Sequence, residues 1–96
     1  MFARITSYQM NPATLDVAKA MVNEIKSEVM ALPGMHEFIN AVDDETGRGY
    51  VISLVESREV SDANADKVMA IWGKFADHLT AKPEPEGMDV YVHWRN

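Results

Sequence analysis

There is no cysteine in these 96 residues. That absence removes a disulfide framework, a thiolate nucleophile and a Cys-type zinc site together. No apolar run approaches the roughly 18 residues of a membrane span, and the opening MFARITSYQM lacks the basic flank and apolar block of a signal peptide. The expectation is a cytoplasmic chain without a membrane partner. Bases are scarce: 9 Lys and Arg against 15 Asp and Glu leave a net charge of −6. A nucleic-acid binder would show a basic stripe interleaved with aromatics, and none is present. The three histidines, His36, His78 and His93, are dispersed and have no carboxylate at ligand spacing, so no metal site is expected. The acidic turns at Asp43–Glu45 and Glu84/Glu86 lack calcium-loop spacing, and there is neither a Gly-rich phosphate loop nor a Ser-centred elbow. What is present, 47% hydrophobic and 25% charged, is ordinary globular composition. The length suits one domain over residues 1–96. A chain of this size buries a little under two-thirds of its unfolded surface, roughly, and would gain from a partner.

Phe2 to Met10 alternates β-branched and aromatic residues with polar ones and reads as a strand. Asn11-Pro12 starts a helix, because Asn can accept a bond from a free N–H and Pro suits the first helical position. Leu15, Ala18, Val22, Ile25, Val29 and Leu32 then follow in threes and fours on one stripe, until Leu32-Pro33-Gly34 stops the helix. Met35 to Asp43 and Tyr50 to Glu56 read as strands. The short polar turn Asp44-Glu45-Thr46-Gly47 joins them, which predicts an antiparallel hairpin. Ser57 or Ser61 caps a second helix with the stripe Val60, Asn64, Val68, Ile71, Trp72, Phe75 and Leu79. Two prolines and a glycine in Lys82–Gly87 predict a solvated loop, and Met88 to Arg95 (MDVYVHWR) reads as the last strand. The order strand, helix, strand, strand, helix, strand is the ferredoxin-like α+β arrangement, in which two helices cover one face of a four-stranded antiparallel sheet.

A sheet covered on one face should turn polar residues to the other. These strands carry large apolar side chains on both. Phe2, Arg4, Thr6 and Tyr8 oppose Ala3, Ile5 and Ser7; Tyr50, Ile52 and Leu54 oppose Val51, Ser53 and Val55; Met88, Val90, Val92 and Trp94 oppose Asp89, Tyr91 and His93. Alternation alone leaves open which set meets the helices. The uncovered face predicts a homodimer formed sheet to sheet.

The stretches ARITSYQMNPATL, LPGMHEF and YVISLVESREV give the chain a resemblance to the antibiotic biosynthesis monooxygenase-like domains of the dimeric α/β barrel superfamily. Relatives of this type often carry Trp where Val55 stands. The resemblance implies a homodimeric small-molecule enzyme, acting without a cofactor on an aromatic or polyketide-like compound. It equally allows a non-catalytic dimeric ligand-binding or stress-related module. The haem-degrading branch would imply Asn on the first strand and Trp with His on the second helix. Here Arg4 and Thr6 hold the polar positions of the first strand, and Trp72 and His78, six apart, face different sides of a helix, so haem is not expected.

Five residues stand out as candidates. Arg4 and Tyr8 share a face of one strand; a guanidinium in such a place pairs with Asp89 or Glu56, or else holds an anionic or carbonyl-bearing ligand. Tyr8 and Asn40 would complete the polar contacts. Trp72, mid-stripe on the second helix, either packs the helix on the sheet or walls a pocket with its aromatic face and indole donor. His93, beside Trp94, is the general-base candidate, because imidazole exchanges protons near neutral pH; a plain strand-edge histidine is the other reading.

Overall fold

Alternation makes Phe2–Gln9 a strand, β1, which pairs along its whole length with Arg48–Val55, β3. β3 pairs in turn with Met35–Val42, β2, and the other side of β1 takes Glu84–Asp89, β4. All pairings are antiparallel and the strand order is β2-β3-β1-β4, the ferredoxin-like sheet expected from the sequence. The computed structural model describes residues 1–96. None of its helices is long and apolar enough to cross a membrane.

Asn11 caps the first helical region, its side chain accepting from the Ala13 N–H at 2.9 Å. A short 3-10 turn over Pro12–Thr14 leads into α1, Leu15–Glu24. At Ile25 the backbone departs from helical values (φ −99°, ψ 7°), and the region continues as α2, Lys26–Met30. The single helix read from the periodicity is therefore two segments, although its apolar stripe is kept. Gly34 and Gly47 take the positive φ that ends α2's turn and closes the β2–β3 hairpin, at 72° and 77°. A Cβ at Gly47 would also collide with the Met10 carbonyl oxygen.

Ser57 caps α3, Arg58–Ala63, with its hydroxyl accepting from the Val60 N–H at 3.2 Å. Asn64 separates α3 from α4, Ala65–Gly73. Beyond Gly73 the chain tightens into turns, with Phe75 N–H on Trp72 O (2.9 Å) and His78 N–H on Phe75 O (2.9 Å). The expected second helix is thus broken at Asn64 and ends before Phe75. The segment after it returns along β1, with Asn11 N–H donating to His78 O at 2.7 Å and Thr80 N–H to Gln9 O at 2.9 Å.

The last strand is the main correction. Its span is Glu84–Asp89, not Met88–Arg95, and Pro85 and Gly87 lie within it, opposite Thr6 and Arg4. β4 is an edge strand, and an edge accommodates proline because the N–H groups on its outer side pair with nothing. Residues 90–96 form no strand. Val90 N–H bonds the Met1 carbonyl at 3.0 Å, and the chain then crosses to Glu37, which holds His93 Nε2 at 3.3 Å and also pairs with Arg95. Asp89 sits on one edge strand and Glu37 on the other, so this terminal segment spans the width of the sheet.

The helices cover the face bearing Arg4, Thr6, Tyr8, Phe38, Asn40, Val51 and Ser53. The core there gathers Tyr8, Met10, Leu15, Ala18, Val51 and Phe75. The other face carries Ile5, Ile39, Tyr50, Ile52 and Met88 by strand alternation. Three of them are conspicuously open: Ile39 at 50%, Met88 at 48% and Tyr50 at 42%.

Candidate functional site

Between the two helical regions and the sheet lies a cavity of about 80 Å3, lined by 20 residues of which 14 are hydrophobic. So many lining residues around so small a volume make it a slot. Val22, Ile25, Ile71 and Trp72 reach it from α1, α4 and the joint at Ile25, and β1 and β3 form its floor. Near one side, Lys74 and Glu28 form an ion pair of 2.8 Å that ties the end of α4 to α2.

Four of the five candidate residues line this slot: Arg4, Tyr8, Asn40 and Trp72. β1 parity brings in Arg4 and Tyr8. The Tyr8 ring lies over Gly49, where a Cβ would run into Cζ, so only glycine leaves room for it. From there its hydroxyl donates to Asn40 Oδ1 on β2 at 2.6 Å, and its ring meets Trp72 with centroids 5.5 Å apart at a 54° tilt. Arg4 is the only charged residue of the lining. It pairs with neither Asp89 nor Glu56 and makes no ion pair; its Nη1 is 3.5 Å from Ser61 Oγ.

His93 is not brought to the slot. Glu37 alternates with Phe38 along β2 and therefore faces away from the helices, so His93, paired with Glu37, is on the opposite side of the sheet. No histidine lines the slot. His78, in the turns after α4, is occupied by Thr14, with Nδ1 2.9 Å from Oγ1.

Four polar residues of the slot were not among the five candidates: buried Thr6 on β1, Ser53, Ser61 and Asn64. Ser53 pairs directly opposite Arg4, Ser61 is buried beneath α3, and buried Asn64 donates from Nδ2 to the Pro33 carbonyl at 2.9 Å. The signal was available: Ser53 and Asn64 are lone polar residues within an apolar strand face and an apolar helical stripe.

Burial raises the Tyr8 pKa, only partly offset by the hydrogen bond to Asn40. The fold therefore favours the neutral phenol. That contribution to stability is complete below the unfolded tyrosine value of about 10 and is lost as pH rises through the higher folded value. Urea unfolding between pH 8 and 11 should show a decline that Tyr8→Phe flattens, while the variant gives up about 1 kcal/mol at neutral pH for the lost hydrogen bond. Identical alkaline slopes for the two proteins would show that Tyr8 is not the group responsible.

No family model matches the sequence, and no curated protein matches it. Solved structures do share its fold. An antibiotic biosynthesis monooxygenase superposes with a TM-score of 0.77 at 16% identity, over 96% of this chain and 100% of its own. A candidate antibiotic biosynthesis monooxygenase from Nitrosomonas europaea gives 0.79 at 12% identity, over 96% and 100%. A point mutant of MhuD, with two manganese protoporphyrin IX molecules per active site, gives 0.79 at 16% identity, over 100% of both chains. These likenesses establish the ferredoxin-like fold that antibiotic biosynthesis monooxygenase-like proteins have.

Proposed function

We propose that this protein takes a small aromatic compound into the slot between helices and sheet, and that it does so as a homodimer with the antibiotic biosynthesis monooxygenase type of activity. The observation that carries the reading is the convergence of Arg4, Tyr8, Asn40 and Trp72 on one apolar cavity. An apolar slot with a few placed polar groups is the usual form of a small-molecule site. Trp72, Phe38 and Phe75 offer ring surfaces, and the polar groups fix orientation.

In this reading the substrate itself reacts with dioxygen. A hydroxyarene or anthrone plus O2 gives the quinone plus water, a ring carbon gaining the oxygen while the second oxygen leaves as water. Tyr8 is held protonated and Arg4 is a cation, so the lining supplies no general base. The fitting substrates are those that ionise near neutral pH unaided, their oxyanion accepting from Arg4 or Asn40. The same lack of a base favours a second reading, a binding module without turnover.

The porphyrin that MhuD binds does not suit this lining. Haem iron takes a histidine, cysteine, methionine–histidine or tyrosinate ligand. The slot has no histidine or cysteine, and its one tyrosine is neutral and bonded to Asn40.

Titrating 2-naphthol should quench tryptophan fluorescence and raise the melting temperature, and Trp72→Ala should weaken binding by about tenfold or more, roughly the worth of an aromatic contact and its buried area. Equal binding by wild type and variant would remove the slot reading. With an anthrone, oxygen uptake of one mole per mole of product supports the oxygenase; binding without uptake supports the module.

A further inference from the structure

Arg4 has no ionic partner in the fold. Its guanidinium is half-buried at one end of an apolar slot, where a lone cation is unfavourable unless an anion or several acceptors meet it. The groups placed beside it are hydroxyls: Ser53 across the β1–β3 pairing and Ser61 at 3.5 Å. Hydroxyls can donate to an anion alongside Arg4, whereas a carboxylate there would have repelled one. No acidic residue lines the slot.

The other end has different chemistry. Tyr8 donates to Asn40 Oδ1, which leaves the amide Nδ2 of this exposed lining residue free as a donor at the edge of the slot, and Tyr8 Oη with lone pairs to offer. A ligand hydroxyl satisfies both, accepting from Asn40 Nδ2 and donating to Tyr8 Oη, whereas a carbonyl oxygen could only accept from Asn40. Arg4 and Tyr8 are four residues apart on one strand, about 13 Å between Cα atoms at ~3.3 Å per residue. Apolar and aromatic side chains fill the space between, Trp72 and Phe38 among them.

We infer that the slot is built for a flat aromatic carboxylic acid whose carboxylate meets Arg4 and whose far end carries a hydroxyl for Asn40 and Tyr8. This rests on the reading of the slot as a small-molecule site. A planar carboxylate matches the guanidinium fork in two parallel hydrogen bonds, which gives orientation as well as attraction.

Three probes separate the ends: 6-hydroxy-2-naphthoate has both groups, 2-naphthol lacks the carboxylate, and 2-naphthoate lacks the hydroxyl. Calorimetric titration of the wild-type chain should rank the hydroxy acid tightest, at least tenfold ahead of 2-naphthol. Arg4→Met should remove that tenfold advantage and leave 2-naphthol unchanged. Asn40→Ala should weaken the hydroxy acid and 2-naphthol but not 2-naphthoate. If 2-naphthol binds through Trp72 while the acid binds no better, or if Arg4→Met keeps the acid's affinity, the carboxylate assignment fails and the slot reading survives. If none of the three binds, both fail. Should Arg4→Met not fold, the comparison of the hydroxy acid with its methyl ester on the wild-type chain decides: equal affinity overturns the assignment.

Discussion

Phe75→Ala should destabilise the protein by about 3–5 kcal/mol, a large part of the ~5–14 kcal/mol expected for a domain of this length. Phe75 is 3% exposed and packs with Tyr8, Met10, Leu15, Ala18 and Val51. It follows α4 directly and fills the space where the turns after the helix meet the sheet. It also borders the slot, so the void left by truncation merges with existing space instead of collapsing. The neighbouring Lys74→Ala removes only a half-exposed ion pair to Glu28, for which less than about 1 kcal/mol is expected. Thermal unfolding of both variants checks the contrast: Phe75→Ala should melt at least ~12 °C below wild type and Lys74→Ala within a few degrees. Similar small shifts for both would mean that the residues after Gly73 do not anchor the core.

That anchor was legible in the sequence as a member of the second apolar stripe, although the element around it was not. Phe75 and Leu79 keep helical spacing, yet the chain there runs in turns. Spacing of threes and fours reports that side chains face one way over a short stretch; it does not distinguish a continuing helix from tight turns. β1 and the β2–β3 hairpin were readable because their alternation is enforced by burial on the helix face and by Gly47's positive φ. β4 was not readable. Glu84-Pro85-Glu86-Gly87 has the composition of a solvated loop and MDVYVHWR that of a strand, but what makes an edge strand is a partner, and β1 offers its free edge to the earlier segment. The site followed the same logic. Arg4 and Tyr8 came from β1 parity, which held, and Asn40 and Trp72 from the hairpin and the second helical region. His93 depended on a strand that stops at Asp89, so its expected place moved to the other side of the sheet.

Glutamate placed at both Ile39 and Met88 should convert a homodimer into a monomer without unfolding the protomer. Both side chains lie on the sheet face away from the helices, on β2 and β4 at opposite edges. Within one chain each is about half exposed, so a charge there meets water and changes protomer stability by no more than about 0.5 kcal/mol. Between them lie Ile5, Ile52 and Tyr50, and Tyr91 and Trp94 project from the terminal segment at 98% and 89% exposure. The same face carries Glu37, Arg48, Glu84 and Glu86, so its open apolar part is the patch of Ile39, Tyr50 and Met88 with Tyr91 and Trp94 exposed beside it, and such a patch rimmed by charge is the form of an interaction surface. A second copy of the same face would be a self-complementary cover, and a standard interface buries about 800 Å2 per partner. In that arrangement Ile39 and Met88 are dry, and a glutamate at either costs several kcal/mol for an unpaired buried carboxylate. Equilibrium sedimentation at micromolar concentration should therefore give twice the 10.8 kDa chain mass for wild type and the single mass for the double variant, with both retaining the same circular dichroism. The wild-type melting temperature should also rise with protein concentration, since association stabilises by mass action, and the double variant's should not. A wild-type chain that sediments as a monomer would leave this face to water and overturn the homodimer; a double variant that remains dimeric would move the interface elsewhere.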